Sequence, residues 1–185
     1  MPAGTEWFHE IKYDGYRLRV ERDGDRVRLI TRGGYDWIRR FPWITEAALR
    51  NRTKQFVIDG EAVVLCLDGM PDFNALHSGK HNAEVQLCAF DLLAVDGEDL
   101  RDLTLSMRKT NLERLLRGRS DGIVVNPFEQ GAIRPDLFRA AYDIGLAGLV
   151  SKRSDRPYRG GRSPDWIKIK SRQHHAFDRV KIARS

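Results

Sequence analysis

The chain has 185 residues, of which 41% are hydrophobic and 31% are charged, and its formal net charge is +6. This length and composition predict one globular domain over residues 1–185 that buries its own core. No apolar run approaches the roughly 18 residues of a membrane span, and the N-terminus lacks the apolar segment of a signal peptide. We therefore expect a cytoplasmic chain with no membrane partner.

The first predicted elements are a β-hairpin and a helix. Apolar residues alternate over 15–22 and 26–31, and the turn sequence Asp23-Gly24-Asp25 separates these two runs. Such a pattern is typical of two antiparallel strands joined by a tight turn. The stretch "FPWITEAALRNR" that starts at Phe41 has the spacing of a short amphipathic helix.

Two largely apolar runs, at 55–67 and 85–95, predict long buried strands that are connected by a turn and a short helix. The two cysteines of the chain, Cys66 and Cys88, lie within these runs. A free thiol in such surroundings behaves as a small hydrophobic side chain. We expect both cysteines to be buried and reduced.

His77 and His81, in the connection between these two strands, have the i, i+4 spacing of a helical metal pair. The residues between them include a glycine and no acid, so a loop or the end of a helix is the better interpretation. We assign no zinc site to this pair.

The second half of the chain adds two helices and three strands. Thr104 or Ser106 is the candidate N-cap of a helix that runs to about residue 117, and Gly118 ends it. The remaining predicted elements are a strand at 122–128, a helix at 134–144 and strands at 148–153 and 166–170. Strands in runs, without strict alternation with helices, predict the α+β class with mainly antiparallel sheets.

Positive charge is concentrated near the C-terminus. Residues 151–185 contain eleven Lys or Arg and three Asp, and they include a basic tail at 171–185. A stretch of this kind indicates either phosphate contacts, to a nucleotide or a nucleic acid, or a solvated charged surface.

The segment "KYDGYR" raises the question of whether Lys12 is a nucleophile. A lysine with the ordinary pKa of about 10.4 is almost fully protonated at pH 7, so nucleophilic use requires burial or neighbouring cations. Lys168 and Lys170 in "WIKIK" share one face of a strand. If that face meets Lys12, the two lysines would lower its pKa and bind a triphosphate. Alternating lysines are also common on a solvated sheet edge.

Six short motifs in one order bear on this question. The chain resembles ATP-dependent DNA ligases in their nucleotidyltransferase motifs, and it looks most like the ligases of bacterial end-joining systems. The matching stretches are "KYDGYR" (12–17), "TRGG" (31–34), "VIDGEAVV" (57–64), "AFDLL" (89–93), "GLVSK" (148–152) and "WIKIK" (166–170). The resemblance implies a nucleotidyltransferase fold, with antiparallel sheets and flanking helices around an AMP pocket.

The resemblance also implies a role for each matched residue. Lys12 would attack the α-phosphate of ATP to form lysyl-AMP, and AMP would then pass to a DNA 5′-phosphate before a 3′-hydroxyl seals the nick. The implied nucleotide-binding residues are Glu10 at the adenine edge, Ile11, Lys12, Arg17 and Arg32 near the ribose or the 5′-phosphate, Glu61, Phe90 stacked on adenine, and Lys152, Lys168 and Lys170 at the phosphates. Mg²⁺ or Mn²⁺ would be required, with Glu61 as its ligand.

The same resemblance makes nicked double-stranded DNA the expected partner, with other DNA-repair proteins as further partners of a monomeric chain. The expected DNA-binding residues are Arg32, Arg153, Arg159 and Arg162. A continuation into an OB-fold domain, usual in this family, is not expected here, because only fifteen residues follow Lys170.

One position departs from the family pattern. Where its members usually have a metal-binding glutamate before the glycine of the fifth motif, this chain has Ala147. Asp143 or Asp59 could replace that carboxylate. Two alternatives stay open. One is an RNA ligase or capping-type nucleotidyltransferase, which shares the lysine chemistry, and the other is a catalytically impaired module that binds nucleotide or DNA, which Ala147 and the lack of an OB-fold domain favour.

Overall fold

The computed structural model describes residues 2–118, 121–132 and 146–170 of the chain. Within these ranges it contains two β-sheets and three α-helices. The strands are β1 (Trp7–Ile11), β2 (Tyr16–Asp23), β3 (Arg26–Thr31), β4 (Gln55–Val63), β5 (Gln86–Val95), β6 (Glu98–Asp99), β7 (Ile123–Val125), β8 (Phe128–Gln130), β9 (Gly148–Arg153) and β10 (Trp166–Lys170). The helices are α1 (Pro42–Arg50), α2 (Phe73–Ser78) and α3 (Leu105–Leu116), and a 3₁₀ turn lies at Asn82–Glu84.

The larger sheet has the strand order β3-β2-β4-β5-β6, and β7 lies parallel to β5. Its other pairings are antiparallel. This sheet carries most of the hydrophobic core, in which α1 and α3 pack through fully buried side chains such as Ile44 and Leu112. The predicted hairpin, the first helix and the long strand at 85–95 are confirmed.

The smaller sheet has the order β10-β9-β1-β8, with antiparallel pairing throughout. Strand β1 therefore lies between strands from the last part of the chain. The pairing of Glu10 with Val150 fixes the register of β1 on β9. This arrangement brings the start of the chain beside the two C-terminal motifs.

The expected single strand at 122–128 is wrong. Residues Ile123–Val125 belong to the larger sheet and Phe128–Gln130 to the smaller one. Between them Asn126 donates its backbone N–H to Ala89 of β5 and its side-chain amide to Ile11 of β1. Pro127 has no N–H to offer a strand, and the chain passes from one sheet to the other at this point. A run of apolar residues does not reveal such a change of sheet.

The expectation of a buried Cys66 is also wrong. Strand β4 ends at Val63 rather than at residue 67, and the chain then turns, with the Cys66 N–H donated to Met70. Cys66 is exposed and Cys88 is buried, and both are free thiols. Burial raises the pKa of the Cys88 thiol to about 12, so this thiol stays protonated at neutral pH.

The remaining local predictions concern helix ends. The Thr104 hydroxyl accepts a hydrogen bond from the Met107 N–H at the start of α3, and Gly118 with φ 70° follows the end of that helix. His77 lies in the last turn of α2, which Gly79 ends in the left-handed conformation.

The helix expected at 134–144 and the basic tail at 171–185 lie outside the described residues. None of the described helices has the length and hydropathy to cross a membrane.

Candidate active site

A cavity of about 500 Å³ opens between the two sheets. Its wall combines strand β1 and the turn after it with the start of β2, the middle of β4 and β5, and parts of β9 and β10. The predicted nucleotide-binding residues in the wall are Glu10, Ile11, Lys12, Arg17, Arg32, Glu61, Phe90, Lys152 and Lys168. The fold thus brings nine of the ten residues to one place. Lys170 is exposed and is not part of this wall.

Lys12 directly follows β1, and its backbone N–H donates to the Gly148 carbonyl at 2.9 Å. This bond ties the lysine to the start of β9. Gly15, three residues on, lies where an added Cβ would overlap the Ala62 carbonyl oxygen. A glycine is therefore needed for this turn to approach β4. The turn supplies the cavity with Lys12 and leads into β2, which supplies Arg17.

Lys168 on β10 lines the same cavity. Partial burial lowers the pKa of Lys168, and the nearby charges of Lys12, Arg17 and Arg32 lower it further. The four cations therefore act on one another within one cavity. A phosphate chain placed among them would offset this repulsion.

Glu61 projects from β4 into the same cavity and is only partly exposed. Burial raises its pKa to about 7, although Lys12, the Gly15 N–H and Arg17 each favour the charged form. The carboxyl group is consequently close to half-protonated at neutral pH. A bound cation would favour the carboxylate.

Among the described residues, no group of three or more His, Cys, Asp or Glu could hold a metal ion. Glu61 alone suits a Mg²⁺ ion that is held by one carboxylate and by substrate phosphates. Asp59, considered above as a replacement ligand, instead accepts two hydrogen bonds from Arg17, at 3.0 and 2.6 Å. Asp143 lies outside the described residues.

Glu10 is 1% exposed and is the centre of a buried ionic cluster. Its Oε1 lies 2.6 Å from the Nζ of Lys109 on α3, and its Oε2 lies 3.0 Å from the Nζ of Lys152 on β9. Asn126 donates to Oε2 at 3.3 Å. Burial alone would raise the pKa of Glu10, but the two lysines outweigh it and the pKa lies below its ordinary value. The Lys109 contact is close but poorly directed as a hydrogen bond, so its attraction is mainly coulombic.

Two aromatic rings cover the Lys152 ammonium group. Its Nζ lies 4.3 Å from the ring centroids of both Phe90 and Trp166, and these two rings meet edge to face at 6.2 Å. The Arg17 guanidinium lies 5.5 Å from the Phe90 centroid. The ring predicted to stack on adenine is therefore already in contact with cations that would face the nucleotide.

A second groove, of about 610 Å³, adjoins this cavity and shares Arg17, Arg32 and Lys168 with it. Arg19 and Arg162 also line this groove. Five cationic side chains against the single carboxylate of Asp59 make the groove strongly basic.

The expected DNA-binding residues divide into two groups. Arg32 and Arg162 lie in the basic groove. Arg153 instead pairs with Asp155 at 2.7 Å and lies over the Trp7 ring, and Arg159 is exposed outside the groove wall.

Several residues of the site were not predicted from the sequence. Trp166 and Tyr158 lie in the "WIKIK" motif and in the loop before it, and Tyr158 donates to Asp59 at 3.5 Å. Lys109 is four residues after Leu105 and three before Leu112, on the buried face of α3. A lysine at that position of an apolar stripe is the one sequence signal that indicates a buried partner.

The comparisons with known proteins agree with this geometry. The family model described as "ATP dependent DNA ligase domain" matches residues 2–170, and the chain belongs to this family. The nucleotidyltransferase fold and the resemblance stated from the six motifs are thereby confirmed.

Similar curated proteins include the "Multifunctional non-homologous end joining protein LigD" of Pseudomonas aeruginosa, 38% identical over 180 residues that cover 96% of this chain and 21% of that protein. A "Probable DNA ligase" of Streptomyces coelicolor is 37% identical over 190 residues, which cover 94% of this chain and 36% of that protein. This chain thus spans about a fifth to about a third of the length of these relatives.

Among solved structures, one described as "mycobacterial DNA ligase D complexed with ATP and MES" matches with a TM-score of 0.77 and 32% identity. The match covers 91% of this chain and 55% of that one. The shared architecture therefore includes both sheets.

The raised pKa of Glu61 makes a prediction about stability. Because the folded pKa of about 7 exceeds the ordinary value of 4.5, the folded state keeps a proton that the unfolded state releases between these pH values. The contribution of Glu61 to stability is therefore most favourable below pH 4.5 and is lost as pH rises through 7. We expect Glu61→Gln to remove this decline, which amounts to about 2 kcal/mol between pH 5 and 8.

The measurement is urea unfolding of both proteins at several pH values. Glu46→Gln is the control, because Glu46 is an exposed glutamate on α1. If the free energy of unfolding changes with pH in the same way in Glu61→Gln and in the unsubstituted chain, Glu61 has an ordinary pKa and the prediction is wrong.

Proposed function

We propose that this domain carries out the nucleotidyl transfer of an ATP-dependent DNA ligase. The observation that carries the proposal is the position of Lys12 in one cavity with Glu61, Phe90 and Lys168. The Lys12 amine attacks the α-phosphate of ATP, the N–P bond forms, and the bond to pyrophosphate breaks. The AMP then passes to a DNA 5′-phosphate, and attack by the adjacent 3′-hydroxyl seals the strand and releases AMP.

The residues around Lys12 have separate tasks in this proposal. Lys168 and Arg32 bind the phosphates, and their positive charge offsets the charge that develops as pyrophosphate leaves. Phe90 lies at the base, and Glu10 lies at the adenine edge. Mg²⁺, or Mn²⁺, would be held by Glu61 and the phosphates and would supply further charge neutralisation.

Nicked duplex DNA is the proposed substrate, and the basic groove is its proposed path away from the AMP pocket. The groove shares three cations with that pocket, so a strand that follows it would place its terminal phosphate beside Lys12. Two relatives carry "DNA ligase" or "non-homologous end joining" in their names. Other DNA-repair proteins are accordingly the proposed partners, and a monomer remains the expected state.

Lys12→Ala should abolish the covalent AMP adduct without unfolding the domain, because the side chain acts as the nucleophile and is not part of the buried core. Intact-mass spectrometry after incubation with ATP and Mg²⁺ measures the adduct. Lys80→Ala, which removes an exposed lysine after α2, should leave it unchanged. An adduct that persists in Lys12→Ala would place the nucleophile elsewhere.

The two groups of arginines predict different effects on DNA binding. Arg162→Met should weaken binding to a nicked duplex and reduce the slope of log affinity against log salt by about one, since it removes one phosphate contact. Arg153→Met removes the same charge, but from a side chain that is paired with Asp155 outside the groove, and should have little effect. Fluorescence anisotropy from about 50 to 200 mM salt tests this, and equal losses in both variants would argue against the groove.

Ala147 is the position where the family pattern fails, and it is buried directly before Gly148, whose carbonyl binds the Lys12 N–H. A carboxylate at this position would add a second oxygen ligand near the proposed metal. We expect Ala147→Glu to lower the Mg²⁺ concentration for half-maximal adduct formation by about tenfold. Ala147→Gln adds an uncharged side chain of similar size and should leave this Mg²⁺ concentration unchanged.

The same assay separates the alternatives. An unchanged Mg²⁺ requirement in Ala147→Glu would mean that another carboxylate already fills the ligand position. Failure of the unsubstituted chain to form any adduct would favour the impaired binding module. Sealing of nicked RNA but not nicked DNA would favour an RNA ligase.

A further inference from the structure

Among the described residues, the buried cluster around Glu10 contains one more positive charge than negative charge. Lys109 is 1% exposed and Lys152 is 2% exposed, and both contact the single carboxylate of Glu10. The nearest other buried acid on this side, Asp91, is already paired with Arg108 through two hydrogen bonds, at 2.8 and 3.1 Å. Asp91 also attracts Lys109, but its charge is already matched by that of Arg108, so one positive charge remains in excess.

The two lysines approach Glu10 from different sides. Lys152 lines the nucleotide cavity, under Phe90 and Trp166. Lys109 is not part of the cavity wall, and its Nζ lies 4.8 Å from the ring centroid of Phe128 on β8. Lys152 therefore borders the cavity beneath these two rings, and Lys109 lies behind Glu10.

A purely structural ion pair would need only one lysine. Burying a second ammonium group carries a large desolvation cost, and the part of the chain that the structure describes provides no second carboxylate to offset it. Burial lowers the pKa of Lys109, and the attraction of Glu10 does not fully restore it. An anion in the cavity would supply the missing negative charge.

We infer that Lys109 is a positioning residue for nucleotide binding: it neutralises Glu10 from behind, so that Lys152 keeps an uncompensated positive charge toward the phosphates of ATP. The inference rests on the proposed function, since it takes the cavity as the ATP site. Without Lys109, the Glu10 carboxylate would be neutralised by Lys152 alone, and the net positive charge next to the nucleotide would fall by one.

The test compares Lys109→Met with Lys109→Arg in the full chain. Lys109→Met should raise the ATP concentration for half-maximal adduct formation by about tenfold, with the maximal rate changed by less than about threefold. Lys109→Arg keeps the charge and should stay close to the unsubstituted chain. Arg114→Met is the matched control, because it removes one positive charge from an exposed position of the same helix.

Two further measurements separate this role from a structural one: the thermal unfolding of each variant, and the fraction of each preparation that can form the adduct. Loss of folded protein lowers the maximal rate but leaves the ATP dependence unchanged. A folded Lys109→Met protein whose ATP dependence stays within about twofold of the unsubstituted chain would overturn the inference.

If Lys109→Met does not fold, Lys109→Gln provides the test, because it removes the same positive charge and keeps an N–H donor for Glu10. It should raise the ATP concentration for half-maximal adduct formation by about tenfold. A folded Lys109→Gln protein whose ATP dependence stays within about twofold of the unsubstituted chain would overturn the inference.

Direct titration of ATP by calorimetry distinguishes the two proposals. An unsubstituted chain that binds no ATP contradicts both. A chain that binds ATP but forms no adduct contradicts the proposed function alone, and equal ATP affinity in the unsubstituted chain and Lys109→Met contradicts only the role of Lys109.

Discussion

The buried carboxylate of Glu10 is the interaction on which the rest of the site depends. It joins β1 to β9 through Lys152 and to α3 through Lys109, so one side chain fixes the smaller sheet against the larger one. A buried charge is costly without partners, and the two ammonium groups and Asn126 provide them. Lys12 follows Glu10 by two residues, so the same contacts also fix the backbone position of the proposed nucleophile.

The carboxylates around the cavity differ in how fully they are paired. Asp91 and Asp59 each accept two hydrogen bonds from an arginine. Among the described residues Glu61 has no such bidentate partner, and burial raises its pKa to about 7. The charge of Glu61 therefore responds near neutral pH to what enters the cavity, whereas Asp59 and Asp91 hold arginines in place.

The parts of the fold that depend on neighbouring residues could be predicted from the sequence. The hairpin follows from the alternation of apolar residues, and the Thr104 cap follows from local hydrogen bonding. The six motifs in order were enough to identify most of the residues that line the cavity. The change of sheet at Asn126 could not be predicted, because pairing between distant strands leaves no periodic signal. Lys109 and Trp166 were missed for the same reason: their partners lie far away in sequence.

The two-residue step at Asn126 and Pro127 has a mechanical consequence. Through Asn126, a single residue is hydrogen-bonded to β5 in one sheet and to β1 in the other. Asn126 thus joins the two sheets directly, and rotating them apart would break its bonds together with the contact of Glu10 with Lys109. Nucleotide would then reach Lys12 through the open mouth of the cavity, without a separation of the two sheets.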